Sequence, residues 1–534
     1  MPDLTDPSTT PQPGLDTAEI EARGRRGLTS GERVALRRRL SPRWGFFSVA
    51  VIGLLGVTLW LRYTAPAVAP AVRAPEPRPS SIAVLPLVNA SPDTADEYFS
   101  DGMTEELTAA LGRVPGLRVA APSSAFALKG QSEDPRETGR RLNVGTVLEG
   151  SVRQDDDRLR VTVHLVSVSE GFDLWSETYE RSAADVFAVQ NEIAQAVVAA
   201  LRAPGAGAVP TGAAPTASVE AYATYLRGRH ALGRAGVSDP SHAVGLFQEA
   251  LRLDSTFAPA WAWLAAAQAE RAIAEGARPA DAMPAAREAA ARALALDSAL
   301  AVAHNTGGQV RFLYDWDWNA ADSAFQRALL INPNRAEVHH WYSHLLTALG
   351  RTEEARVHGR RMLELSPLDP EAVAHLGWLH LYAKRYAEAR ESLEDALSAD
   401  PSLAGTRSLL GLLAEVQGDY ELAESHFRGA LDRKPDDLNA LASLGRIHAL
   451  DGRAADALAV LARLDSLSAE RYVSPYLLSG IAEALGDTRR AFAWLEEAVA
   501  DRAGQLVYLE LDPRLDRLRG DRRFNRVRRS VGLP

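Results

Sequence analysis

The stretch Gly418–Asp451, GDYELAESHFRGALDRKPDDLNALASLGRIHALD, is one unit of a repeat that decides the fold of the C-terminal half of the chain. Within it Ala423 is followed by Phe427 at plus four and Ala430 at plus seven, and this spacing puts three apolar side chains on one helix face. Pro435 comes five residues later and stops the helix, because proline lacks the N–H donor. The unit is therefore predicted to be two helices joined by a turn.

The same columns return every 34 residues on both sides of this unit. A glycine stands five residues before most of the alanines, where a tight turn between helices favours a left-handed residue. Small residues twelve positions before the alanine leave room for two antiparallel helices to touch. The alanine column consists of Ala321, Ala355, Ala389, Ala423, Ala457 and Ala491.

This pattern of small facing residues, a bulky contact and a closing proline at a period of 34 resembles the tetratricopeptide repeat (TPR). With two looser units around Ala243 and Ala286, we count about eight units over residues 218–502. The resemblance implies an all-α superhelical solenoid with a concave groove, because one helical pair cannot bury its apolar faces alone. Residues 503–534 are expected to form a polar capping helix.

The composition is that of a folded protein without cysteine chemistry. The chain has 534 residues, of which 46% are hydrophobic and 24% charged, and its net charge is −10. A chain of this charge repels phosphate backbones, so we expect no nucleic-acid partner. The absence of cysteine from the sequence excludes disulfides, thiolate metal ligands and a cysteine nucleophile.

The N-terminal region has the pattern of a membrane anchor. Residues 1–43 are expected to be a largely disordered basic arm, and residues 44–61 (WGFFSVAVIGLLGVTLWL) carry no charge. As a helix this run spans roughly 27 Å, close to the hydrocarbon thickness of a bilayer. Arginines before the run predict a cytoplasmic N-terminus in a single-pass inner-membrane protein. The chain beyond the Pro-rich linker at 62–80 is then periplasmic. A buried core helix and a cleavable signal peptide are the alternatives.

Residues 81–201 read as a compact α/β domain. Its strand pattern is clearest where Leu159, Val161, Val163 and Leu165 alternate with polar residues, as in a strand with one buried face. Helix patterns lie between the strand patterns. An Ala/Gly/Pro-rich linker at 202–217 separates this domain from the repeats.

The same domain carries a second resemblance. The runs SIAVLPLVNASPDTADEYFSDGMTEELTAAL, VLEGSVRQDDDRLRVTVHLV and LWSETYER look like the TolB amino-terminal-like domain of many bacterial TPR proteins. In that family the domain is often fused to a nucleotide-cyclase, protein-kinase or DNA-binding domain. Residues 1–43 are too few for any of the three, so we carry over no catalytic or DNA-binding function. The fold class is thus predicted to be multi-domain: a single transmembrane helix, an α/β domain and an all-α TPR solenoid.

Two features of the sequence raise the question of a metal. His340 and His344 are four residues apart on one helix, with His339 and His358 nearby. A histidine pair needs a third ligand and no HExxH motif is present, so partner contact or a solvated helix is favoured over a metal. The Asp155–Asp157 run is interpreted as a solvated hairpin tip rather than a calcium site. We therefore predict no metal and no cofactor.

The concave groove is the predicted functional surface. Exposed aromatic side chains and an arginine in such a groove are typical anchors for a peptide. Packing of Trp378 and Tyr382 between units is the alternative. The repeat register predicts that nine residues point inward: Glu337, His340, His344, Glu371, Trp378, Tyr382, Glu415, Asn439 and Arg446.

These observations favour a periplasmic scaffold or adaptor that is anchored in the membrane and binds protein or peptide partners in the groove. The sequence shows no nucleotide-binding loop, nucleophile elbow or metalloprotease motif, so we expect no enzymatic activity and no catalytic residues. One alternative is a sensor or regulatory protein whose α/β domain binds a small ligand and signals across the membrane. Another is a regulator that acts through its basic arm on a cytoplasmic partner.

Overall fold

The computed structural model describes residues 81–93, 96–131, 134–155, 158–201, 214–233, 239–273 and 276–533. The predicted basic arm at 1–43, the predicted membrane helix at 44–61 and the predicted linker at 62–80 lie outside these residues. Most of the predicted linker at 202–217 lies outside them as well.

The first part of the described chain is a small α/β unit. Its strands are β1 Ser81–Val84, β2 Val88–Asn89, β3 Arg118–Val119, β4 Thr146–Asp155, β5 Arg158–Ser167 and β6 Asp173–Ser182, and its helices are α1 Glu97–Gly112, α2 Pro122–Phe126, α3 Pro135–Arg141 and α4 Val186–Leu201. The sheet has the order β3-β1-β4-β5-β6, and β2 pairs with β4. β1 runs parallel to β3 and β4, whereas β4, β5 and β6 are antiparallel neighbours.

Strand β5 shows why this sheet has a helical layer against it. Leu159, Val161, Val163 and Leu165 are buried, because alternate side chains of a strand point to one face. They share a core with Leu107 of α1 and with residues of α4. Burial of that face holds α1 and α4 against the sheet.

The rest of the chain is a series of antiparallel helical pairs. The paired helices are α5 Val219–Gly233 and α6 Pro240–Leu253, α7 Ala258–Ile273 and α8 Pro279–Leu296, α9 Ala301–Val310 and α10 Trp318–Ile331, α11 Ala336–Ala348 and α12 Thr352–Leu365, α13 Pro370–Tyr382 and α14 Tyr386–Ala399, α15 Ala404–Val416 and α16 Tyr420–Arg433, α17 Leu438–Leu450 and α18 Ala454–Ser468, and α19 Pro475–Ala484 and α20 Thr488–Ala500.

The alanine column explains the close packing within each pair. All six alanines from Ala321 to Ala491 are 0% exposed, so no larger side chain fits at this position without moving a neighbour. The small residue on the first helix acts in the same way. A Cβ added to Gly411 of α15 would lie 2.6 Å from the Phe427 ring of α16. The repeat pattern therefore corresponds to helix-to-helix contact, and the predicted TPR solenoid is confirmed.

The C-terminal segment, residues 503–533, is more broken than a capping helix. It contains two 3-10 turns, Gly504–Tyr508 and Pro513–Leu518, before the helix α21 Arg522–Val531. Pro513 opens the second turn, and a proline ring does not fit in the interior of a helix.

The C-terminal end of the solenoid contacts its second and third helical pairs. Arg278 at the start of α8 lies 3.5 Å from the Asp501 carboxylate after α20. The Trp318 indole N–H donates to the Val531 carbonyl at 3.2 Å. A cleft of about 420 Å³ lies between residues 276–281 and 468–472. The last repeats are therefore held against much earlier ones. We call the side of the solenoid formed by the first helix of each pair its inner face.

The α/β unit packs directly against the solenoid. Arg229 of α5 forms ion pairs with Glu105 and Glu106 of α1. At a second place, the Asn334 side-chain amide donates to the carbonyls of Gly112 and Leu117 at 3.0 and 2.8 Å. One hydrophobic core runs from the sheet through α1 into α5 and α6. The described residues thus belong to one compact unit.

The predicted multi-domain fold class is therefore wrong. The described chain is mostly helical, and its α/β part is small and shares a core with the first repeats. Among the described residues no helix combines the length and the apolar character needed to cross a membrane. The shared core explains the error, because it is formed by residues far apart in sequence that no local pattern connects.

Candidate functional site

The nine residues predicted to line the groove lie on four successive first helices, α11, α13, α15 and α17, and differ in exposure. Glu337, Glu371 and Asn439 are exposed. The rings of His340, His344, Trp378 and Tyr382 are partly buried, whereas Glu415 and Arg446 are buried. Binding of a partner by these residues stays a prediction.

Arg446 and Glu415 bind each other rather than facing the open groove. The Arg446 Nε lies 2.7 Å from Glu415 Oε1. The same guanidinium pairs with Glu483 of α19 and donates to the Gly480 carbonyl at 2.8 Å. This charge cluster joins α15, α17 and α19. The sequence did not indicate this cluster. Arg446 is 31 positions after Glu415 and 37 positions before Glu483, and neither spacing equals the repeat period of 34.

Four of the predicted residues come together in one cluster of rings. The His344 and Trp378 centroids are 4.2 Å apart, and those of Trp378 and Tyr382 are 4.6 Å apart. His340 lies one turn before His344 on α11, at a centroid distance of 4.7 Å. We call His340, His344, His375, Trp378, Tyr382 and Tyr508 the ring cluster.

Two members of the ring cluster were not predicted. His375 of α13 lies 4.3 Å from His340, measured between ring centroids. His375 comes 35 residues after His340, one more than the repeat period, and this near-repeat is the one feature of the sequence that could have indicated it. Tyr508 comes from the C-terminal segment, outside the repeat register. Its hydroxyl lies 2.7 Å from His344 Nδ1.

Burial keeps the three imidazoles of the ring cluster neutral near pH 7. It lowers the pKa of His340 to about 4, although the nearby Glu337 carboxylate acts in the opposite direction. Burial also holds the pKa values of His344 and His375 well below their usual range, and the neighbouring histidines lower them further. Neutral imidazoles have a free nitrogen lone pair, so these rings can accept a hydrogen bond or bind a metal.

The C-terminal segment lies along the inner face. After Tyr508 contacts α11 and α13, the buried Asp512 accepts a hydrogen bond from the Tyr476 hydroxyl of α19 at 2.7 Å. Asp512 also pairs with Arg514, which lowers the pKa of the carboxyl although burial alone would raise it. The inner face of these repeats therefore already holds a polypeptide segment, one that belongs to the same chain.

The comparisons with known proteins identify the repeats. A family model described as tetratricopeptide repeat matches residues 350–404, 375–436 and 408–471. A protein of Rhizobium meliloti (strain 1021) named "Putative adenylate cyclase 3" is 37% identical over 190 residues, which are 35% of this chain and 32% of that protein. "Tetratricopeptide repeat protein 13" of Homo sapiens is 28% identical over 122 residues, 23% of this chain and 14% of that protein. The chain thus spans less than a third of either relative.

The matches to solved structures have lower sequence identity and low TM-scores. PilF of Pseudomonas aeruginosa is 21% identical, with a TM-score of 0.31, and the match covers 41% of this chain and 94% of that chain. YrrB, a TPR protein described as having an unusual peptide-binding site, is 22% identical, with a TM-score of 0.26 and coverage of 36% and 95%.

The match to the Rhizobium protein corrects the prediction that the chain is not an enzyme. That prediction relied on the absence of known motifs, yet a protein that aligns with this chain over 190 residues at 37% identity is named "Putative adenylate cyclase 3". The absence of short motifs is a weak argument, because catalytic residues are brought together by folding and many sites have no contiguous signature. What the comparisons and the structure establish together is that the chain contains tetratricopeptide repeats.

Proposed function

We propose that this chain binds a protein or peptide partner on the inner face of its repeats. Proteins with such repeats generally mediate protein–protein interactions. The observation that carries the proposal is the C-terminal segment, whose Tyr508 side chain is seated among His344, Trp378 and Tyr382. A face that holds an aromatic residue of its own chain has the shape and chemistry to recognise a polypeptide.

The exposed polar residues indicate which part of the face is open to a partner. Glu337, Glu371 and Asn439 are exposed on α11, α13 and α17. Glu337 and Glu371 lie one turn before His340 and His375 on the same helices, and this part of the face borders the ring cluster, in which an aromatic side chain of the partner would find Trp378. A partner either contacts this border or replaces the C-terminal segment in the ring cluster.

The test is proximity labelling in cells with a ligase fused after Pro534, comparing wild type with Trp378→Ala. We expect the variant to lose specific neighbours, because the ring that contacts His344 and Tyr508 is removed. Leu330→Ala is the matched control, since Leu330 is 74% exposed on α10 and outside the ring cluster. An unchanged set of neighbours in folded Trp378→Ala protein would contradict the proposal.

A second candidate follows from the Rhizobium relative: we propose that the 190 aligned residues serve a cyclase-associated or regulatory role in both proteins. The assay is formation of cyclic AMP and pyrophosphate from ATP and Mg²⁺ by the purified full-length chain. Turnover would make the chain itself an enzyme. If the chain instead changes the rate of an added cyclase, it is a regulator. If it has neither effect, this second candidate is rejected and only partner binding remains.

The TolB-like resemblance of residues 81–201 and the periplasmic location remain proposals that rest on sequence patterns. A pair of reporters that are active on opposite sides of the membrane, each fused after Pro534, tests the location. Activity of the cytoplasmic reporter would contradict it.

A further inference from the structure

Three histidines of the ring cluster are arranged like the ligands of a metal ion. His340 and His344 are one turn apart on α11, and His375 faces them from α13. One ring nitrogen from each lies within 4.8 Å of the other two. Two imidazole nitrogens on one tetrahedral zinc ion are about 3.4 Å apart, so small side-chain rotations bring all three to one ion.

Hydrogen bonds already orient two of the rings. His344 uses Nδ1 for the Tyr508 hydroxyl at 2.7 Å, which leaves Nε2 as its ligand atom. His375 uses Nε2 for the Ser343 hydroxyl at 2.7 Å, which leaves Nδ1. Histidines that bind metals typically have their second ring nitrogen held in this way, because the bond fixes the tautomer and the ring orientation.

The third ring contains a buried nitrogen in need of a partner. In the part of the chain that the structure describes, His340 Nδ1 is buried and has no hydrogen-bond partner. A buried polar atom without a partner costs free energy. A metal ion between the three rings would remove that cost if His340 binds through this atom.

We propose that His340, His344 and His375 form a binding site for a divalent transition metal, with zinc as the best fit. Neutral imidazoles suit this ion, and three protein ligands leave a fourth position for water or for the Glu337 carboxylate one turn before His340. The site goes beyond partner binding. It links α11 to α13 and, through Tyr508, holds the C-terminal segment on the inner face.

The tertiary structure removes the reason for predicting no metal. That prediction rested on a histidine pair without a third ligand, and His375 supplies one from the next repeat. A nearby alternative, His339 and His358, has Nδ1 atoms 2.8 Å apart. It is a pair without a third histidine among the described residues, and His339 also contacts the Pro333 carbonyl at 3.2 Å.

The test is titration of the chelator-treated full-length chain, without a polyhistidine tag, with Co²⁺. We expect one Co²⁺ per chain with the visible absorption of a tetrahedral site, and displacement by Zn²⁺. His375→Ala should bind Co²⁺ at least about tenfold more weakly, because a ligand is lost. Tyr508→Phe should weaken binding to a smaller degree, because only the bond that orients His344 is lost. His358→Ala is the control and should bind like wild type.

Wild-type protein that binds no Co²⁺ would overturn the proposal. So would His375→Ala binding as wild type does, or His358→Ala losing as much affinity as His375→Ala. Circular dichroism without metal checks that each variant is folded. If His375→Ala does not fold, His340→Gln replaces it, because the His340 ring is only partly buried and a polar side chain is tolerated there.

Discussion

At the scale of single residues, Arg446 shows how a plausible binding residue becomes a structural one. Arg446 is 6% exposed, and its guanidinium lies between Glu415 and Glu483, which are 8% and 3% exposed. Buried carboxylates need such a cation, because the interior solvates them poorly. The charge of Arg446 is therefore used inside the solenoid, and its loss would act on stability before it acted on any partner.

We predict that Arg446→Glu destabilises the chain by at least about 3 kcal/mol, because it removes the buried cation between Glu415 and Glu483 and adds a third carboxylate beside them. Thermal unfolding followed by circular dichroism measures this as a lower midpoint. Arg463→Glu, at an exposed position of α18, is the control because it makes the same charge change outside the cluster. Two variants with the same midpoint would show that the cluster contributes little.

At the scale of the structural element, the turn between paired helices repeats with the same backbone conformation. Gly350, Gly418, Gly452 and Gly486 all have φ between 73° and 80°. In the α13–α14 pair this position is Lys384, with φ 58°. A side chain with a Cβ is strained in this left-handed region. One repeat therefore contains a strained turn that its neighbours avoid.

We predict that Lys384→Gly stabilises the chain by about 1 kcal/mol, because the left-handed conformation costs glycine nothing. Gly418→Ala is the matched control and should destabilise by a similar amount. A Cβ at Gly418 would meet no atom within 4 Å, so only the backbone effect is measured there. Urea unfolding of both variants gives the change in the free energy of unfolding, which should rise for Lys384→Gly and fall for Gly418→Ala. A destabilised Lys384→Gly would rule out strain at this turn.

At the scale of the whole molecule, the small α/β unit and the solenoid stabilise each other. Asn334, between α10 and α11, is 7% exposed and bonds to the carbonyls of Gly112 and Leu117 and to the Val119 N–H. These bonds satisfy backbone groups at the end of α1 and in β3. The sheet edge and the repeats are therefore expected to open together.

We predict that Asn334→Ala costs about 2 kcal/mol, because it leaves buried carbonyls without donors. Hydrogen exchange should rise both at residues 117–120 and at residues 334–339. Asn319→Ala, at an exposed position of α10, is the control. A rise confined to one of the two regions would mean that they unfold independently.

The sequence by itself determined the repeat. A period of 34 residues places Ala423 against its partner helix and Gly418 in the turn, and both effects are local enough to be read from spacing. It also placed His340, His344, Trp378 and Tyr382 on one side of their helices. The fold of each helical pair and four of the six members of the ring cluster were predictable for this reason.

Only the tertiary structure decided what those side chains meet. His375 reaches His340 from the next pair, Tyr508 reaches His344 from beyond the last repeat, and Arg446 finds Glu483 on the following first helix. The hydrophobic core that the α/β unit shares with the first repeats is likewise formed by residues far apart in the sequence. Spacing along one helix sets which face a residue occupies. The residue that packs against that face depends on how successive pairs rotate and where the chain returns, and the one-dimensional pattern does not contain that rotation.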